Sequence, residues 1–300
     1  NMKTLKRDQV IHSFNKEHSP QLEASPGAMM VVKTEDCFNH QITREEETLG
    51  KHFDYGKINP ATGPIKVEGA QPGDTLVVDI KQIDLANHGV TVAYPGWGPL
   101  GEKVEENITG ISQIEEDSVN LFGCSFPCRP MVGVIGVAPK EGDIPCGRPG
   151  QHGGNLDTLD VSKGSTVYLP VQVAGGLLAL GDVHATMGEG EVCGTGVEAR
   201  ARVKIKVSLI KESTFAAPVI KNEEAIYFLS SAKTLSQAAK LAVKRVVDYI
   251  TQSTSFSWEQ SYMLASIATD LKISQIVNPL KTVRVRIPQN LLPTDFEPFN

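Results

Sequence analysis

No stretch of this 300-residue chain is long and apolar enough to cross a bilayer. Its least polar run, Leu169 to Gly181, includes Gln172 and falls short of the ~20 residues a span requires. Met2 is followed by Lys3, Lys6 and Arg7 with no apolar stretch behind them, so no secretory leader is read, and Asn1 reads as the remnant of a tag. Positive charge is also in short supply. Lys and Arg total 29 against 35 Asp and Glu, for a net charge of −6, which removes any general pull toward phosphate backbones and argues against a nucleic-acid partner. Five cysteines, an odd number in a long chain, make no disulfide framework and read as reduced thiols of a soluble, cytoplasmic protein. Familiar catalytic signatures are missing too: no Gly-x-Ser-x-Gly elbow, no phosphate-binding Gly-Lys-Ser/Thr loop and no His-Glu-x-x-His.

What the chain does have is a 40% hydrophobic fraction, enough for a real core, and an excess of turn formers, 27 glycines and 18 prolines. Thr75 to Ile80 follows a Pro72-Gly-Asp turn and reads as a strand. Met131 to Val137 reads as a buried strand, and Val167 to Val173 as another in which Pro170 marks an edge or bulge. From Arg200 to Ile210 charged and apolar residues alternate, the pattern of a strand with one wet face. The period changes near residue 230. Leu235, Ala238, Ala239, Ala242, Val246 and Ile250 recur at helical spacing, with Ser230 and Ser231 in place to cap the start and Lys240, Lys244 and Arg245 on a solvated face. A second helix is expected over about Ser257–Ala268, with Trp258, Tyr262, Leu264 and Ile267 apolar, and a short strand from Val283 closes the chain. The class is therefore α+β, mainly β. A β-sandwich or barrel-like body over residues 1–220 carries the site, and a small α/β segment with two helices occupies 221–300.

The densest chemistry lies between residues 147 and 198. His152, Asn155 and Asp157 sit in a glycine-rich stretch with little bulk around them, which lets a ligand approach the backbone, although such a stretch is also an ordinary self-bonded turn. Downstream, an apolar run leads into Asp182-Val-His184, whose side chains share a face at a strand period of two. A turn at Gly188-Glu-Gly190 is expected to return the chain so that Glu191, or Glu189, starts the next strand opposite that pair. Imidazole and carboxylates gathered at one spot suit a divalent metal with nitrogen and oxygen ligands. Glu35-Asp36-Cys37 and His40 end an upstream strand in a run of potential ligands that, taken alone, reads better as a solvated loop. The loop Tyr94 to Gly101 surrounds Trp97 and either covers a pocket or is a plain turn. No cysteine has an adjacent histidine to activate it, so the thiols are read as packing residues.

The strings His152-Gly-Gly-Asn-Leu-Asp157, Tyr168-Leu-Pro-Val171, Gly181-Asp-Val-His184 and Gly188-Glu-Gly-Glu-Val-Cys-Gly-Thr195 together resemble the acetamidase/formamidase family. Glu35-Asp-Cys37, Pro95 to Gly101 and the helical C-terminal part extend the likeness over nearly the whole chain. The resemblance implies a mainly β, metal-dependent enzyme, commonly dimeric or larger, that hydrolyses short aliphatic amides to a carboxylate and ammonia. Carried over residue by residue, it implies a metal set of Asp36, His152, Asp157, Asp182, His184 and Glu191, with Asn155 and Trp97 toward the substrate. Glu191 or Asp182 is then expected to move the proton of a metal-activated water. Zinc suits this donor set, with calcium beside or instead of it. The competing readings are a metal-dependent enzyme acting on another carbonyl compound, cysteine catalysis, and a metal-containing β-sandwich module that binds a small molecule or sugar without turning it over.

Overall fold

The strand Ala201–Ile210 shows how the sequence builds the body: its alternation turns Ala201, Val203, Ile205 and Val207 inward and leaves Arg202 in solvent. It pairs with Met29–Thr34 on one side and with Thr75–Leu85 on the other. In a computed structural model, which describes residues 2–50 and 52–291, these three lie side by side toward one edge of a nine-stranded sheet. Continuing from Thr75–Leu85, the order runs Thr166–Pro170, Val219–Lys221, Ala225–Ala232, Lys281–Pro288 and Asp270–Gln275; Lys3–Leu5 closes the far edge. Residue 220, the expected domain boundary, lies in a strand in the middle of this sheet. Asn1 and residues 292–300 lie outside the described residues.

A second, six-stranded sheet faces the first. Leu178–His184 runs between Met131–Gly136 and Ala61–Val67, and Gly153–Asn155 adds to its edge. Every position of Leu178–His184 and of Met131–Gly136 is buried, because both faces are covered. Leu178, Leu180 and Val132 pack toward Val78, Ile80 and Val203 of the large sheet, while Ala179 and Val134 pack away from it with Phe14 and Cys146. The result is the mainly β sandwich expected, with a smaller four-stranded sheet beside it. Pro170 pairs only with Thr75, beyond the point where Val219–Lys221 leaves its other side, so its missing N–H costs no ladder bond.

The two helices are α1, Leu235–Ser253, and α2, Trp258–Ala268. Helix α1 lays Ala238, Ala242, Val246 and Ile250 on Phe228, Val283 and Val285 of the large sheet. Its start differs from expectation. Ser230 and Ser231 lie in the strand Ala225–Ala232, and Thr234 is the cap, its hydroxyl accepting from the Gln237 N–H. Arg245 is not on a solvated face either. Its guanidinium turns inward and donates to the carbonyls of Ala217, Pro218 and Leu229. Helix α2 begins with a reciprocal capping box between Ser257 and Gln260. It buries Ser261 and Ala265 and leaves Trp258, Tyr262 and Ile267 outside. No described helix is long and apolar enough to cross a membrane.

The Pro72-Gly-Asp turn is locked by Asp74, whose carboxylate accepts from the Gln71 and Glu212 N–H groups and pairs with Lys211. Burial pushes this carboxyl up, but Lys211 and the two N–H donors prevail and hold it below its ordinary 3.8. Its contribution to stability is therefore complete above pH 3.8 and lost as the pH falls through the lowered folded value. In urea unfolding, Asp74→Asn is expected to be less stable than wild type at pH 6. The gap should narrow at pH 3.

Candidate metal centre and amide cleft

Apart from Glu212, whose N–H bonds the Asp74 turn, three carboxylate residues of the body hold backbone conformations that ordinary residues avoid: Asp157 (φ 40°), Asp182 (φ 53°) and Glu191 (φ 48°). A left-handed non-glycine residue costs on the order of 1–3 kcal/mol and persists only where its surroundings fix it. Here all three aim at one imidazole. His184 Nε2 lies 3.1 Å from Glu198 Oε2, 3.5 Å from Asp182 Oδ1 and 3.8 Å from Asp157 Oδ1. Asp157, His184 and Glu191 offer ligand atoms within 4.8 Å of one another, and so do Cys37, Asp182 and Glu198.

Asp182 and His184 meet as expected, but not by regular alternation: the strand breaks its period at the left-handed Asp182. Glu191 does not start a strand. It sits in successive turns, its N–H bonded to the Gly188 carbonyl and its carbonyl to the Gly194 N–H. These turns are pinned by Gly190, which exchanges backbone bonds with Ser274 and Ile276 of the C-terminal segment. Glu189 points the other way, to Arg284 and Lys272. A glycine forms the floor: a Cβ on Gly133 would stand 2.5 Å from Asp157 Oδ1 and 2.6 Å from Asp182 Oδ2.

Four buried carboxyls around one imidazole carry too much negative charge to ionise together. Burial and the Asp182 carboxylate push Asp157 up to about 7. Burial raises Glu191 well above its usual value, helped by Asp157, and raises Glu198 likewise, helped by Asp182. Asp182 is driven the other way: burial opposes ionisation, but His184 holds it low. Burial alone would lower His184, yet Glu198 and Asp182 keep it protonated well above its usual range. Asp182 Oδ1, Glu191 Oε2, Glu198 Oε2 and both His184 nitrogens are buried without completing a hydrogen bond. Orphaned donors and surplus negative charge in one place fit a divalent cation.

The remaining expected ligands go elsewhere. His152 packs edge-on against Phe14, ring centroids 5.1 Å apart, and is outside both ligand groups; burial and Arg148 press it down to about 4. Asp36 groups with Glu35 and His40, and its Oδ1 accepts the Phe38 and His40 N–H groups, closing the turn after the strand Met29–Thr34. Its neighbour Cys37, read as a packing residue, is the one that reaches the centre. Burial, then Glu198 and Asp182, raise that thiol well above its usual value, the opposite of an activated nucleophile.

Two residues escaped the sequence reading. Glu198 lies just beyond the Gly188–Thr195 string, and a backbone bridge to His184 sets it beside the imidazole. Asn278 has no local signal at all. It comes from the loop after Asp270–Gln275, and its Nδ2 donates to Asp157 Oδ2 at 2.8 Å and to the Asn155 carbonyl at 3.0 Å. Asn155, with its amide turned to suit these neighbours, donates to Asp182 Oδ2 at 3.0 Å. Behind them Arg284, 1% exposed, binds Asp160 and Glu189 together, tying the chain next to Asp157 to the chain next to Glu191.

The centre closes one end of a cleft of about 300 Å³. Phe38, Ile58, Trp97, Val277 and Pro279 wall the cleft, and Asn155, Asp182, Glu191 and Glu198 line its polar end. Trp97 is held over it by Tyr94, 5.0 Å away, and by the bare backbone of Gly194. Space and lining suit a small uncharged molecule with one polar end.

The acetamidase/formamidase family model matches residues 2–145 and 143–294. The chain is 29% identical over 277 residues to the formamidase of Methylophilus methylotrophus, covering 70% of this chain and 66% of that protein. It is 28% identical to a putative formamidase of Schizosaccharomyces pombe, of whose length it spans 60%. Among solved structures, an acetamidase from Bacillus halodurans superposes with a TM-score of 0.93 at 44% identity, covering 95% of this chain and 97% of that one. A predicted acetamidase/formamidase from Thermoanaerobacter tengcongensis gives 0.92 at 43%, with 96% of each chain covered.

The floor of the centre provides a test. Gly133→Ala puts a methyl group against two carboxylates and is expected to lower bound zinc at least tenfold after loading and dialysis, read by elemental analysis. The far-ultraviolet circular dichroism should stay that of the wild type.

Proposed function

Because this chain belongs to the acetamidase/formamidase family, we propose that it hydrolyses short aliphatic amides, formamide or acetamide, to the carboxylate and ammonia. The observation that carries the reading is that Asp182, Glu191 and Glu198, the acids gathered with His184 and Asp157, line the polar end of a small cleft. A divalent cation, zinc by its donor set, supplies polarisation of the amide carbonyl and acidifies water when bound there. His184, Asp157, Asp182, Glu191 and Glu198 would hold it, and the Cys37 thiol stands close enough to join them. Asn155 and Asn278 fix Asp157 and Asp182 from the side, so the carboxylates do not have to reorganise as charge develops.

Glu191 is the residue to move the proton. Its Oε2 is buried without a partner at the polar end of the cleft, where a carboxylate can take a proton from water and return it to the leaving nitrogen. The water oxygen first adds to the carbonyl carbon; the proton it gave up then passes to the nitrogen, and the carbon–nitrogen bond breaks to release ammonia. Phe38, Trp97 and Val277 pack the acyl carbon and leave room for only a short chain. Five unpaired cysteines fit a reducing compartment, and we place the protein in the cytoplasm.

Self-association accompanies this reading. Trp258, Tyr262, Met263 and Ile267 of α2 form an exposed apolar face beside Leu271 and Ile273 of the sheet's edge strand. A second copy of the chain covers this face, since an open edge and an adjoining apolar helix satisfy both of their needs in one contact.

Ammonia release from formamide and acetamide tests the activity, and loss of it on chelation with recovery on adding zinc tests the cation. His184→Ala and Asp182→Ala are expected to lose metal and activity together, and Glu191→Gln to lose about 10²–10⁴-fold in kcat. Full activity in either alanine variant would remove the centre from the reaction. Amide binding without any ammonia would make the chain a binding module. For the assembly, sedimentation should give a dimer or larger for wild type and a lighter species for Tyr262→Asp/Ile267→Asp.

A further inference from the structure

The sandwich contains a second cavity, about 170 Å³, on the side of the protein where α1 crosses the chain around Ala217. Arg245 projects into it from α1. An arginine has five N–H donors. Three of these go to the carbonyls of Ala217, Pro218 and Leu229, and the ring of Phe228 lies 5.4 Å below the guanidinium. Among the described residues no carboxylate pairs with it, and its Nε–H has no hydrogen-bond partner. A buried cation balanced only by carbonyl dipoles is a costly arrangement that an anion would relieve. Burial alone presses this guanidinium down to about 9, in line with its withdrawal from water.

The walls say which anion. Ser230, whose hydroxyl has no partner among the described residues, stands on the floor beside Ser231. Leu156, Pro218, Leu229 and Leu241 supply apolar surface around them. A fork-shaped cation, a free hydroxyl and a greasy wall match a carboxylate with a short alkyl chain better than phosphate, whose oxygens would face leucine. The mouth is accessible, since Leu241 at its rim is 48% exposed. We propose that this cavity is a binding site for small carboxylates, separate from the amide cleft. The proposal is independent of the amidase reading, although a short carboxylate is also what that reaction releases. Gly150, Gln151 and Leu156, which line the cavity, belong to the same stretch as Asn155 of the cleft.

The test uses crystals of the full chain soaked separately in butyrate and in bromide, and acetate titrations of metal-stripped protein, in which the cleft holds surplus negative charge. Butyrate is expected with its carboxylate against the Arg245 guanidinium and its alkyl chain on Leu156 and Leu241. Acetate affinity should fall at least tenfold in Leu241→Trp, which plugs the mouth and leaves every Arg245 contact in place, and in Ser230→Leu. Wild-type affinity in Leu241→Trp would overturn the proposal. So would butyrate found only in the cleft, or bromide but no carboxylate beside Arg245.

Discussion

One histidine surrounded by acids governs this molecule. Four carboxyl groups and an imidazole are buried together at the meeting of several chain segments, and five of their buried polar atoms have no hydrogen-bond partner. The backbone accepts three left-handed acidic residues to assemble them, which is stored strain at the place where the chemistry is concentrated. The rest of the fold can be understood as the frame that makes this cluster tolerable. Two packed sheets give it rigid walls, glycines give it room, and Arg284 holds the flanking segments from behind with a buried positive charge.

Much of the frame was legible in the sequence because it rests on period. The alternation from Arg200 onward and the all-apolar runs at Met131 and Leu178 are simple consequences of one wet face and of none. Capping was harder. Ser230 and Ser231 are good caps in isolation, but pairing with Lys281–Pro288 carries the strand through them, and Thr234 inherits the task. Arg245 looked solvated because helical spacing says which side a residue is on, not where a long flexible side chain bends.

The centre was legible where chain neighbours supply it and illegible where distant segments do. Asp157, Asp182, His184 and Glu191 sit in motifs that announce themselves by glycine and charge. Within the same motifs, His152 was indistinguishable from a ligand until its ring was seen against Phe14. Asp36 was the right neighbourhood and the wrong side chain: the turn takes Asp36 for its own N–H groups and delivers Cys37 instead. Asn278 lies more than a hundred residues from its partners, and no spacing rule reaches that far.

The position of Asn278 makes the cleft depend on a segment far from it along the chain. The loop carrying Val277, Asn278 and Pro279 walls the cleft, and Gly190 is pinned to the neighbouring Ser274. Loosening of the sheet edge at Asp270–Gln275 is therefore felt at Asp157 through the Asn278 amide and at Glu191 through the turns around Gly190.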